Sequence, residues 1–337
     1  MKVDELRKKL DGYDKDTIIK LAVEFYKIIP KAKKEDDLLD NLITNPNAKK
    51  AADKNVSKSR GLTEITSDID LFISHVKSKY YSSPNKVIGK SERPKWRFKV
   101  KAFYKELIAL KLEEPGLHKR AELLNNLYIL MCESFRQDFF NSDDAFVSIV
   151  VEQVDFYRTL IQFIDQAEGK IGVIKKGISL ITDFSQSHNT LKSELMREFV
   201  EVINTPDAKY TAIEKVEEIL KNIINTPLIK TKNYSWNNEE YYRNAKINEL
   251  SELGMRLYLS LFEYPEAVQF FKKYHTTQRD EEIKFYIMIR LLFEFKFKDI
   301  IKKELEIATN EGMKLRKGLI NLLDFIRKQD ALPDYIY

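Results

Sequence analysis

Glycine and proline are scarce in this chain, with 10 and 9 among 337 residues, and that scarcity limits the fold more than any other feature. An all-β chain needs turn residues every 8–12 positions or so, far more punctuation than is present here. With Lys, Glu, Leu and Ile abundant, the sequence reads as helices joined by short turns. Apolar residues also recur at helical spacing, as in Ile18, Leu21, Ala22, Phe25 and Ile28, or Ile65, Ile69, Phe72, Ile73 and Val76. The expected fold class is all-α: antiparallel helix pairs stacked as a solenoid, or an irregular helical array.

The punctuation that does occur divides the chain. It predicts an N-terminal helical hairpin over 1–45, with helices near 16–29 and 35–43 stopped by Pro30 and by Asn45-Pro46. A basic linker over 46–61 follows, then a helical domain over 62–337. In that domain a helix near 63–80 precedes a polar connection over 81–93. Further helices are expected near 94–113, 118–140, 143–165, 170–185, 189–204, 206–225, 238–263, 265–274, 278–297, 298–310 and 313–328.

Ile203-Asn204-Thr205-Pro206 returns as Ile224-Asn225-Thr226-Pro227, 21 positions later. In the first copy Thr can cap a helix while Pro takes its first position, where the missing N–H costs nothing. Two such steps give roughly 42 residues per helix pair, the length of a HEAT-type or armadillo repeat. In helix length and turn chemistry, Thr63 to the end resembles HEAT-like α-solenoid proteins. The resemblance is architectural and implies an extended surface that binds a protein partner.

Charge is distributed unevenly. Asn47 to Lys105 holds fifteen basic residues against five acidic ones, a sum of +10, whereas the whole chain is +5. A basic segment on a mildly acidic body attracts anions. Within it, Trp96, Val100, Phe103, Leu107 and Leu110 form one apolar stripe, and Arg97, Lys101 and Lys105 fall at i, i+4 and i+8 on the opposite side. Like charges at that spacing oppose helix formation, and no acid at i±3 or i±4 relieves Arg97 or Lys101 within the helix. Lys86, Lys90, Arg93, Arg97, Lys101 and Lys105 are therefore candidate anion-binding or nucleic-acid-binding residues. Such a row reads backbone rather than bases. Tyr234 and Trp236, in the irregular stretch Thr226–Asn238, are candidate anchors for a protein partner.

Other chemistry finds no footing. Val87-Ile88-Gly89-Lys90 and Gly169-Lys170-Ile171-Gly172 lack the strand-rich setting of a KH domain, although Gly169-Lys170 could hold an anion where a helix starts. His75, His118, His188 and His275 lie on separate elements, so no catalytic or metal set is expected, and no cofactor. Arg290 and Glu294, four apart in an almost wholly apolar helix, are expected to pair internally. Cys132, the only cysteine, excludes an intramolecular disulfide and suits a reducing compartment. The charged start and the lack of a long apolar run lead to the expectation of a cytoplasmic protein with no membrane partner. A non-catalytic scaffold for a protein or acidic partner is the first functional expectation. Sequence-independent nucleic-acid binding through Lys49–Lys105 is the second. An enzyme such as a helical DNA glycosylase is the weakest, because no carboxylate among base-stacking aromatics can be named.

Overall fold

The computed structural model describes residues 3–29, 60–83, 87–114, 116–227, 238–277 and 280–336. Among them are fourteen α-helices, one 3-10 turn and no strand, so the protein is an all-α helical array. The chain falls into two compact units, Met1–Arg60 and Gly61–Tyr337.

The first unit contains α1 (Val3–Leu10) and α2 (Lys15–Ile28). Asp14 caps α2 by accepting from the Thr17 amide at 2.9 Å and the Thr17 hydroxyl at 2.6 Å. These bonds hold its carboxyl below the ordinary range. The helix expected near 35–43 and nearly all of the expected linker lie outside the described residues.

The second unit runs through α3 (Leu62–Lys77), α4 (Trp96–Ala109), α5 (Gly116–Glu133), α6 (Ala145–Ile149), α7 (Gln153–Thr182), α8 (Lys192–Val202) and α9 (Pro206–Asn225). It continues with α10 (Asn238–Ser260), α11 (Tyr264–Tyr274), α12 (Glu281–Glu294), α13 (Lys298–Asn310) and α14 (Lys317–Gln329). Most neighbours in sequence pack together, and so do some alternate helices: α8 rests on α10, and α10 on α12. Two apolar clusters result. One runs from Ile65 to Tyr274, and the other is built from α10 to α14. Both draw on α10, which gives Leu250, Leu253 and Leu257 to the first and Met255 and Leu259 to the second.

Local chemistry sets the helix limits. Thr205 caps α9, its hydroxyl accepting from the Ala208 amide at 3.4 Å with Pro206 at the first position. In the second copy Thr226 closes α9, its hydroxyl donating to the Asn222 carbonyl, and residues 228–237, which follow Pro227, lie outside the described ones. The predicted break between 165 and 170 appears as a kink inside α7 at Gly169 (φ 66°, ψ −171°), a conformation open only to glycine. The predicted helix 143–165 is itself divided. Asp144 caps the short α6, which stops at Val150 in the left-handed region before α7 begins.

Val150 is one of five helix ends with the same closure. Lys79, Val150, Phe262, Lys296 and Gly312 all have φ between 56° and 81°. In each case the next amide reaches back to the carbonyl five residues earlier, as Tyr80 does to His75 and Phe297 to Leu292. Only one of the five is glycine, which explains how a glycine-poor chain still turns sharply.

The expected Arg290–Glu294 pair does not form. Arg290 is exposed, and Glu294 reaches across to Arg256 on α10. The helix expected to be buried on most sides keeps one open face, carrying Ile283 and Arg290, because α13 and α10 cover only part of it. The C-terminal tail folds back, with Leu332 and Ile336 packed on the second cluster.

Two substitutions test this packing. A Cβ on Gly254 would stand 2.2 Å from the buried Phe270 ring, so Gly254→Ala should cost on the order of 1–3 kcal/mol in urea unfolding, and Phe270→Leu should relieve part of that. Val150 is 76% exposed and β-branched at positive φ, so Val150→Gly should raise stability by about 1 kcal/mol. A loss would show that the side chain carries a contact that outweighs its strain.

Candidate functional site

Two surfaces of the second unit concentrate charge, and they do so in opposite ways. The first is the outer face of α4. Trp96, Val100, Phe103 and Leu107 are buried, with Trp96 stacked on Phe140 at 3.8 Å, and this fixes which face turns outward. Arg97 and Lys105 are exposed on that face and Lys101 is half-buried. Lys99 sits 3.5 Å from the Tyr81 hydroxyl, and the Arg97 guanidinium lies 5.0 Å from the ring of Phe98, itself 61% exposed.

Among the described residues no carboxylate lies within ion-pair distance of Arg97, Lys99, Lys101 or Lys105. The positive end of the α4 dipole adds to the same field, since no acid occupies its first turn. Arg93 has a local task, as its Nε donates to the Ile88 carbonyl at 3.0 Å and ties the preceding loop to the helix start. Lys90 is exposed. Lys86, Tyr234 and Trp236 lie outside the described residues, whereas Tyr241 and Tyr242 at the start of α10 are both exposed, edge to face at 5.7 Å.

The second surface is the α8–α10–α12 face, where three cations are held by carboxylates. Lys246 pairs with Asp183, Lys192 with Glu249, and the buried Arg256 with Glu294 at 2.5 and 3.2 Å. Glu252 stands apart. Its nearest basic atom is Nε2 of the buried His275, 4.0 Å from Oε1, with His275 stacked on Phe271 at 4.3 Å. Neither ring nitrogen of His275, nor Ser251 Oγ, nor Glu249 Oε2 has a hydrogen-bond partner among the described residues. Sequence reading missed this row because its members come from several different helices and never stand together in the chain.

Burial pushes the Glu252 carboxyl up to about 7. Glu249 and Glu294 add to that, while Arg256 and Arg290 oppose it. Burial likewise holds His275 down at about 4, with Lys284 acting in the same direction and Thr276 and Glu281 against. The unfolded groups titrate near 4.5 and 6.5.

The remaining candidates are structural. Lys170 donates to Asp165 and to the Val202 carbonyl, both at 2.7 Å, so its charge is already engaged beside Gly169. Cys132 is buried, its thiol pushed up to about 12 by burial and contacted by Gln153 Nε2 at 3.4 Å. Gln153 also accepts from the Ser187 amide at 2.7 Å, and Asp144 accepts from the Ser187 hydroxyl at 2.7 Å, which pins the loop after α7. No group of three or more metal-ligating side chains occurs among the described residues. Likewise, none of the described helices is long and apolar enough to cross a membrane. Comparison with known proteins returns no match: no family model, no curated protein and no solved structure is similar to this chain.

The Glu252–His275 pair makes a signed prediction. Between pH 4.5 and 6.5, folding takes up a proton at Glu252 and releases one at His275, so the two contributions cancel. In Glu252→Gln only the histidine contribution of the pair remains, and stability relative to the unsubstituted protein should rise across that window by on the order of 2–3 kcal/mol. In His275→Gln the carboxyl alone remains, and stability should fall by a similar amount. Urea unfolding at both pH values checks this, and slopes of the same sign in the two variants would refute it.

Proposed function

We propose that this chain is a non-catalytic scaffold that binds an acidic macromolecule on the outer face of α4. The observation that carries this reading is the contrast in pairing. Lys192, Lys246 and Arg256 on the α8–α10–α12 face each hold a carboxylate, whereas Arg97, Lys99, Lys101 and Lys105 hold none among the described residues. Arg97, Lys101 and Lys105, at i, i+4 and i+8, form two like-charge pairs that destabilise the isolated helix by a few tenths of a kcal/mol each, and a bound polyanion reverses that penalty. An acidic protein segment is the first partner, in keeping with the broad surfaces that helical arrays offer. A cytoplasmic setting accords with the single buried thiol.

A second reading, sequence-independent nucleic-acid binding, is favoured by one feature: the exposed Phe98 beside Arg97 offers a ring on which a base can stack. Fluorescence anisotropy with a labelled poly-glutamate peptide and with labelled single-stranded RNA separates the two. The double variant Lys101→Glu/Lys105→Glu should weaken whichever probe binds by about tenfold or more at low salt, with melting temperature almost unchanged. Binding of neither probe at roughly 50 mM salt and micromolar protein would sink both readings.

A further inference from the structure

We propose that the groove between α8 and the α12–α13 turn is a binding site for a carboxylate carried on an apolar group, with Arg256 as its anchor. The groove encloses about 480 Å³, within the range of small-molecule sites. Arg256 lines it yet is only 2% exposed, between Met255 and Leu257 on the helix that both cores share. A buried guanidinium is a poor way to stabilise a fold, because a well-packed apolar side chain does as well or better. Its placement at the wall of a groove points to use as a receptor, since the planar fork matches a carboxylate with two parallel bonds.

The chain's own Glu294 makes those two bonds, at 2.5 and 3.2 Å. The partners are unequal, for the Glu294 side chain is 35% exposed at the last residue of α12 while that of Arg256 is only 2% exposed. Glu294 can rotate into solvent and be hydrated there. Arg256 cannot, so it must exchange one carboxylate for another. That asymmetry sets specificity, because a neutral or cationic ligand that displaced Glu294 would leave a buried charge unpaired.

The rest of the lining describes the other end of the ligand. Phe293, Phe295 and Val200 supply apolar wall, and two rings favour an aromatic or similarly sized group. At the rim Lys296 lies over the Phe293 ring at 4.6 Å, and Arg197 donates only weakly to its own helix at Ser193. Neither is paired with a carboxylate among the described residues, and Glu201 is the one opposing charge on the lining beyond the Arg256–Glu294 pair. The surplus is positive, as an incoming anion requires.

Hydrocinnamate and its neutral amide, observed by saturation-transfer NMR on the full chain, test the site. The acid should give a signal at ~10 mM and the amide should not, in keeping with the weak affinity of so small a ligand. Arg256→Lys should abolish the signal with the helical circular dichroism retained, and Phe295→Ala, which leaves the ion pair intact, should weaken binding by roughly tenfold. Glu294→Gln, which removes the competing charge, should tighten it by about tenfold if the variant melts cooperatively. Equal signals from acid and amide, no signal from the acid, or undiminished binding in folded Arg256→Lys would overturn the proposal. A tetrapeptide ending in Phe, with its terminus free or amidated, separates the sources. Binding by the free-terminus peptide assigns the site to a chain end, and binding by hydrocinnamate alone assigns it to a small acid.

Discussion

The burial of α10 on two sides is the constraint from which the second unit follows. A helix that gives Leu250, Leu253 and Leu257 to one core and Met255 and Leu259 to another has little circumference left for polar residues. What remains must carry Glu249, Glu252 and Arg256, and charges held so close to two cores need partners brought to them. Lys192 from α8 and Glu294 from α12 supply those partners, so the flanking helices are tied to α10 by ion pairs as well as by packing. Gly254 completes the arrangement on the far side, where Phe270 of α11 approaches more closely than any side chain would allow.

How much of this the sequence disclosed depends on whether a signal lies within one helix or between helices. The limits of α9 and α13 were legible, the first because Thr205-Pro206 is a local start signal whose effect needs no tertiary contact. The break after α6 was not, because the residue that takes the left-handed turn is Val150, and nothing in a valine advertises positive φ. The Arg290–Glu294 expectation failed for the complementary reason. Spacing of four along one helix reveals only partners on that helix, whereas Glu294 had a stronger claim from a guanidinium 38 positions earlier that is already buried.

The candidate surfaces divide along the same line. The α4 row was readable because Arg97, Lys101 and Lys105 share a helix with a clear apolar stripe, so periodicity alone turns them outward. Arg256 gave no such sign. In Gly254-Met255-Arg256-Leu257 it reads as an interruption of an apolar run, and α10, buried on both sides, has no strong amphipathic pattern against which to judge it. Only the fold brings α8 and the α12–α13 turn around it.

The two surfaces also differ in how they meet an anion, and the difference is physical rather than a matter of degree. Charges on α4 stand in water, where attraction is long-ranged but screened within about 10 Å at 0.1 M salt, so they favour a large polyanion and fast encounter. Arg256 lies beneath its own carboxylate, so solution ions barely screen it and an incoming group must match its geometry to replace what is there. Raising the ionic strength therefore weakens the first surface more than the second. On the two proposals made above, the chain would hold a macromolecule loosely by charge on one face and a small acidic group by shape on another.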